Sequence, residues 1–133
     1  MAQQVNPYIT FDGNCADAMT FYAVALGGTL QISTFRESGM DIDGVMHAAV
    51  STESGMHLFA SDTAEGMGEY QPGTNVQISL SGDDADALRG HWEALVNGGQ
   101  IVMPLERQMW GDDYGQLVDK FRILWHVNIA GAA

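Results

Sequence analysis

Apolar and polar residues alternate through Asn6–Phe11, with Pro7, Ile9 and Phe11 set against Asn6, Tyr8 and Thr10. The same alternation runs through Asn75–Leu80, with Val76, Ile78 and Leu80 set against Asn75, Gln77 and Ser79. Period two predicts a strand with one face on the core and one face polar. A Gly-and-polar turn follows each strand, Asp12-Gly13-Asn14 and Gly82-Asp83-Asp84, and its Asx side chains suit a helix N-cap. The period then lengthens to that of a helix. Ala18, Phe21, Tyr22, Ala25 and Leu26 form one apolar stripe, and Ala87, Leu88, His91, Trp92 and Leu95 form another. A Gly-Gly pair, Gly27-Gly28 or Gly98-Gly99, punctuates each end.

The two stretches are copies. Asn6–Leu26 aligned without a gap on Asn75–Leu95 gives eight identities in 21 positions, among them Ile9/Ile78, Gly13/Gly82, Asp17/Asp86 and Leu26/Leu95. Colinear identities that end in the same punctuation indicate a duplicated module. Three short strand candidates follow each helix. They lie near Thr29–Phe35, Val45–Thr52 and Met56–Ala60, then near Gln100–Pro104, Gly115–Val118 and Ile123–Ile129. The expectation is one domain over residues 1–133, with a first module at about 5–62 and a second at about 74–130. Thr63–Gly73 is read as the junction between modules, because either half is small for an independent core.

Charge narrows the function classes. Five Lys+Arg against 17 Asp+Glu leave a net charge of −12, which repels a phosphate backbone and argues against nucleic-acid binding. No apolar run reaches the ~20 residues of a membrane helix, and Met1-Ala2-Gln3-Gln4 lacks a signal-peptide pattern. A cytoplasmic location is the default expectation. Cys15 is the single cysteine and excludes an intrachain disulfide. Its place at a helix start is one where a thiolate can be favoured, against the plainer reading of a small, partly buried side chain. Met40, Met46, Met56, Met67, Met103 and Met109 read as gap-filling or pocket-lining residues rather than a soft-metal site. No nucleophile elbow, P-loop or dinucleotide glycine fingerprint is present.

Several segments together resemble a known family. Pro7-Tyr8-Ile9-Thr10-Phe11-Asp12-Gly13-Asn14-Cys15-Ala16-Asp17-Ala18 followed by Phe21-Tyr22, then Met46-His47-Ala48 and Ser61-Asp62, are similar to the first half of PhnB-like proteins. Met103-Pro104-Leu105, Met109-Trp110-Gly111, Tyr114-Gly115, Asp119-Lys120-Phe121, Trp125 and Asn128 are similar to their second half. PhnB-like proteins are a branch of the glyoxalase/bleomycin-resistance, or vicinal oxygen chelate, superfamily. The resemblance implies an α+β fold of two tandem βαβββ modules, whose open, curved mixed sheets surround a cavity. It also implies frequent homodimers.

Enzymes of that superfamily carry His, Gln or Glu metal ligands on the first and last strand of each module. Those positions are placed at Asn6, Phe59, Asn75 and His126. Strand parity points Trp125 and Val127 to the core and His126 and Asn128 to the cavity, and likewise Leu58 and Ala60 against His57 and Phe59. A phenyl ring, two amides and one imidazole do not make a metal site. No resident cofactor and no metal are therefore expected. A divalent ion would need a relocated set of His47, His57 and His126.

Arg122 departs from the family's Asp-x-Phe-Gly turn. Either the turn changes type or Arg122 is strained, and its guanidinium is one of few charges available to an anion. Trp110-Gly111-Asp112-Asp113-Tyr114-Gly115 reads as a hinged aromatic loop, able to cover a ligand or to anchor in the core or an interface. The leading functional expectation is a non-metal, small-molecule binding protein that acts as a homodimer. Its ligand would meet Asn6, Tyr8, His57, Phe59, Asn75, Gln77, Trp110 and His126. The alternatives are a metal-dependent lyase or dioxygenase, a cofactor-free isomerase with His126 as base, and a structural dimer without a ligand.

Overall fold

The computed structural model describes residues 3–64, 66 and 68–131. Met1, Ala2 and Met67, named above, lie outside the described residues. The backbone falls into two compact units, Met1–Pro72 and Gly73–Ala133, and the division falls within the expected junction.

In the first unit β1 (Tyr8–Phe11) leads into α1 (Cys15–Leu26), then β2 (Thr29–Thr34), β3 (Val45–Ser51) and β4 (His57–Asp62). The sheet order is β1-β4-β3-β2, with β1 parallel to β4 and the other pairs antiparallel. The second unit repeats this with β5 (Ile78–Gly82), α2 (Ala85–Val96), β6 (Gln100–Arg107), β7 (Asp113–Val118) and β8 (Leu124–Ile129). Its order is β5-β8-β7-β6, and β5 is parallel to β8. Each sheet is mixed and open, and neither closes into a barrel.

The alternation of burial follows the sequence pattern. Leu58 and Ala60 are buried while His57 and Phe59 are half-buried. Trp125, Val127 and Ile129 are buried while His126 and Asn128 are half-buried. A helix covers one face of each sheet, so the opposite face is left for the polar set. Both first strands start later than their alternating patterns. Pro7 has no N–H for the ladder, although its carbonyl accepts from Phe59 N at 3.1 Å. Asn6 and Asn75 lie outside the strands.

The helices differ from the expected stripes in detail. In α1 the stripe extends to Cys15, Met19 and Ala23, and Phe21 is only half-buried. In α2 only Leu88, Trp92 and Leu95 are buried, and Ala87 is exposed. The N-caps also differ. Asp84 caps α2 as expected, accepting from Ala87 N at 3.1 Å. Asn14 makes no such bond in α1. There the first turn is held from a distance by Asp62, whose Oδ1 accepts from Gly13 N at 2.9 Å and Cys15 N at 3.0 Å. Asp62 Oδ2 accepts from Val45 N at 2.9 Å, so one buried carboxylate ties β4 to α1 and β3.

Two glycine positions decide close packing. Gly27 ends α1 at φ 69°, a left-handed cap that a Cβ disfavours. Gly115 in β7 lets Trp92 of α2 and the Leu105 backbone approach to within 2.8 Å of where a Cβ would stand.

Candidate functional site

The open face of the first unit is aromatic. β1 and β4 pair Tyr8 with Phe59, and β3 and β4 pair Ala49 with Phe59 and Ser51 with His57. This register gathers four rings. The Phe59 centroid lies 6.5 Å from that of Tyr8, 5.6 Å from His47 and 6.2 Å from His57, the last pair stacked. Tyr8 is 54% exposed, so the group is open to a ligand. The Tyr8 hydroxyl lies 3.3 Å from His47 Nδ1, and the Ser51 hydroxyl lies 3.1 Å from His57 Nδ1.

The open face of the second unit is a line of hydrogen bonds. Gln77 Nε2 donates to the Thr74 carbonyl at 3.2 Å, which turns its Oε1 towards His126. That oxygen can only accept, so His126 Nε2 carries the proton and donates to it. Nδ1 then accepts from the Tyr114 hydroxyl, whose oxygen accepts from Gln116 Nε2 at 2.9 Å. Trp110 continues the line, its ring 5.8 Å from that of Tyr114 and 57% exposed.

The loop carrying Trp110 is fixed at its base. Asp112 accepts from Asn128 Nδ2 at 3.0 Å and from Gly131 N at 2.9 Å, and these bonds hold its carboxyl below the ordinary range. The neighbouring Asp113 bonds Arg107 at 2.9 Å and also Arg89, and the Arg107 bond is the main reason that its carboxyl is held low.

Of the residues expected at the site, Tyr8, His57 and Phe59 meet on one face, and Gln77, His126 and Trp110 lie along the other. Asn6 and Asn75 do not join them. Asn6 bonds Gln4 at 3.2 Å, and Asn75 is exposed ahead of β5. The two last-strand positions also sit at different levels. Phe59 pairs with Tyr8 but His126 with Ser79, the repeat equivalent of Thr10. Tyr114, Gln116 and His47 join the faces without having been expected as ligand contacts. The signal for Tyr114 and Gln116 was present in β7, because both share the parity of His126 across the β7–β8 register.

Cys15 resolves to its plainer reading. It is fully buried, and burial followed by the nearby Asp62 charge pushes its thiol up to about 12. A thiolate is disfavoured there, opposite to the helix-start expectation.

The whole chain compares closely with known proteins. The family model for the Glyoxalase/Bleomycin resistance protein/Dioxygenase superfamily matches residues 4–127. The chain belongs to this superfamily. Protein PA1353 from Pseudomonas aeruginosa is 32% identical, with a TM-score of 0.87 over 98% of this chain and 100% of that one. The PhnB protein from Bacillus cereus superposes with a TM-score of 0.76 at 22% identity, over 96% of this chain and 100% of that one, and so shares the fold. Protein YjdN of Escherichia coli K12 is 26% identical over 94% of each chain.

A divalent ion does not fit the donors of this superfamily member. Among the described residues no three His, Cys, Asp or Glu side chains come together. His47 and His57 lie on opposite sides of the Phe59 level, with the Phe59 ring 5.6 Å from the first and 6.2 Å from the second. Among the described residues the hydrogen-bond partners of His126 are the Gln77 amide and the Tyr114 phenol, which engage both its nitrogens.

Proposed function

We propose that this superfamily member binds a small, planar organic molecule without a metal, as one domain and as a homodimer in the cytoplasm. One observation carries the reading: the Phe59 ring, where a metal ligand is expected, stands among Tyr8, His47 and His57. Aromatic faces recognise flat, polarisable ligands by stacking, worth roughly 0.5–1.5 kcal/mol per pair beyond area burial. The Gln77–His126–Tyr114–Gln116 line supplies directional polar groups for orientation. The test is a side-chain NMR titration with quinoline. Saturable shifts of the Tyr8 and Phe59 ring signals that vanish in Phe59→Ala support the reading, and their absence overturns it.

The dimer is supported by exposed apolar side chains and free strand edges. Ile101, Val102 and Met103 on edge strand β6 are 52%, 58% and 39% exposed. Light scattering at micromolar concentration should give twice the chain mass, and a monomer mass contradicts it. Among the described residues no helix is long and apolar enough to cross a membrane.

The hydrogen bond between Tyr114 and His126 favours a second reading, proton transfer without a cofactor. The His126 imidazole would take a proton relayed through the phenol. Deuterium exchange at an acidic C–H of a bound carbonyl compound, lost in Tyr114→Phe, would place this reading first.

A further inference from the structure

Only five basic residues stand against 17 acidic ones in this chain. Arg36 bonds Asp41 and Asp43, and Arg89 and Arg107 both bond Asp113. The remaining two, Lys120 and Arg122, line one cleft of about 250 Å³ with Gly98, Gly99, Gln100, Val118 and Asp119. This convergence is notable in an acidic protein, where a solvated Lys or Arg is drawn to the nearest carboxylate. Among the described residues Arg122 forms no ion pair.

Arg122 also sits where its backbone resists a side chain. The β7–β8 connection keeps the form that a glycine favours, with Arg122 N donating to the Asp119 carbonyl at 2.9 Å and Arg122 at φ 70°. It is the sole non-glycine residue at positive φ among those described. Long side chains are uncommon there, and strained positions that persist concentrate at ligand-binding sites. The carboxylate in the cleft wall is already engaged. Asp119 Oδ1 accepts from Phe121 N at 2.8 Å and Ile123 N at 3.1 Å, and Oδ2 accepts from the buried Trp125 Nε1 at 2.9 Å. Its oxygens are therefore held by the turn, while Arg122 and Lys120 both line the cleft, with Lys120 Nζ 5.5 Å from the Phe121 ring centroid.

We propose that this cleft is an anion site, in which Arg122 and Lys120 bind a small oxyanion of the phosphate or carboxylate class. A guanidinium offers two parallel N–H donors to such a group, and an ammonium adds a point charge. Gly98 and Gly99 add side-chain-free backbone to the lining, and the Lys120 stem lies against Gly98. The competing explanation is that both cations only serve the carbonyl end of α2, which Gly98 follows closely.

The test uses the intact protein and backbone-amide NMR. Inorganic phosphate is titrated at ionic strength held constant with sodium chloride, and sodium acetate is titrated in parallel. Saturable shifts at Gly98–Gln100 and Lys120–Arg122 are expected with at least one of the two anions. Whichever binds tighter identifies phosphate or carboxylate as the ligand class. Arg122→Gly, which suits the turn and so preserves the fold, should bind at least tenfold more weakly while melting at a higher temperature. Shifts with neither anion, equal affinity in Arg122→Gly, or a lowered melting temperature in that variant would each overturn the proposal. The last result would assign Arg122 to the helix end.

Discussion

The Tyr114 hydroxyl donates to Nδ1 of His126, whose other nitrogen donates to Gln77. In the neutral imidazole these partners select one tautomer, with the proton on Nε2. Long-range proton–nitrogen NMR should show that tautomer for His126 in the wild type. Tyr114→Phe should bring the signals of both tautomers into exchange and cost roughly 1 kcal/mol in urea unfolding, the typical worth of one hydrogen bond. An unchanged His126 spectrum in the variant would contradict the bond.

Gly115 faces Trp92 and the Leu105 backbone, each within 2.8 Å of its missing Cβ. Backbone cannot retreat as a flexible side chain does. Gly115→Ala should therefore destabilise the second unit by about 1–3 kcal/mol, the usual cost of overpacking. Urea denaturation followed by tryptophan fluorescence measures it, and a neutral substitution would show that Trp92 does not pack there.

The Cys15 thiol is buried and pushed up to about 12. Native protein at pH 8 should not react with iodoacetamide on a timescale of hours, and should react once urea unfolds it. Mass spectrometry reads both states. Rapid native alkylation would place Cys15 at the surface.

Asp113 has its carboxyl held low, chiefly by Arg107. A lowered folded pKa stabilises above the unfolded aspartate value of about 3.9, and that stability is lost as pH falls through the folded value. Unfolding free energy should thus be insensitive to this group from neutral pH down to about pH 5, and decline below about pH 4. Asp113→Asn should flatten part of that acid decline. The effect is small because the arginine partners are exposed. An identical acid limb in the variant would remove Asp113 from the explanation.

Much of the fold was legible because its signals are local. Period two assigned Trp125 and Val127 to the core and His126 to the open face, and the gapless repeat located both helices. Asn6 and Asn75 misled because alternation continues past the point where the ladder begins, and alternation carries no hydrogen-bond information. Gln77, two residues beyond Asn75, reaches His126 instead. Asp62 was beyond local reading, since it caps a helix whose first residue, Cys15, lies 47 positions earlier in the chain. Asn14 has the right chemistry for that task, but Asp62 supplies it. The Arg122 turn was legible as a conflict, and the backbone resolved it by keeping the turn and bearing the strain.

Metal-independent recognition by the ring cluster around Phe59 is tested most directly by titrating quinoline into protein stripped with EDTA, with the Tyr8 and Phe59 ring signals as readout. Saturable shifts in the stripped protein, unchanged when zinc is restored and lost in Phe59→Ala, are the predicted result. Shifts that appear only after zinc is added, and that His126→Ala abolishes, would contradict it.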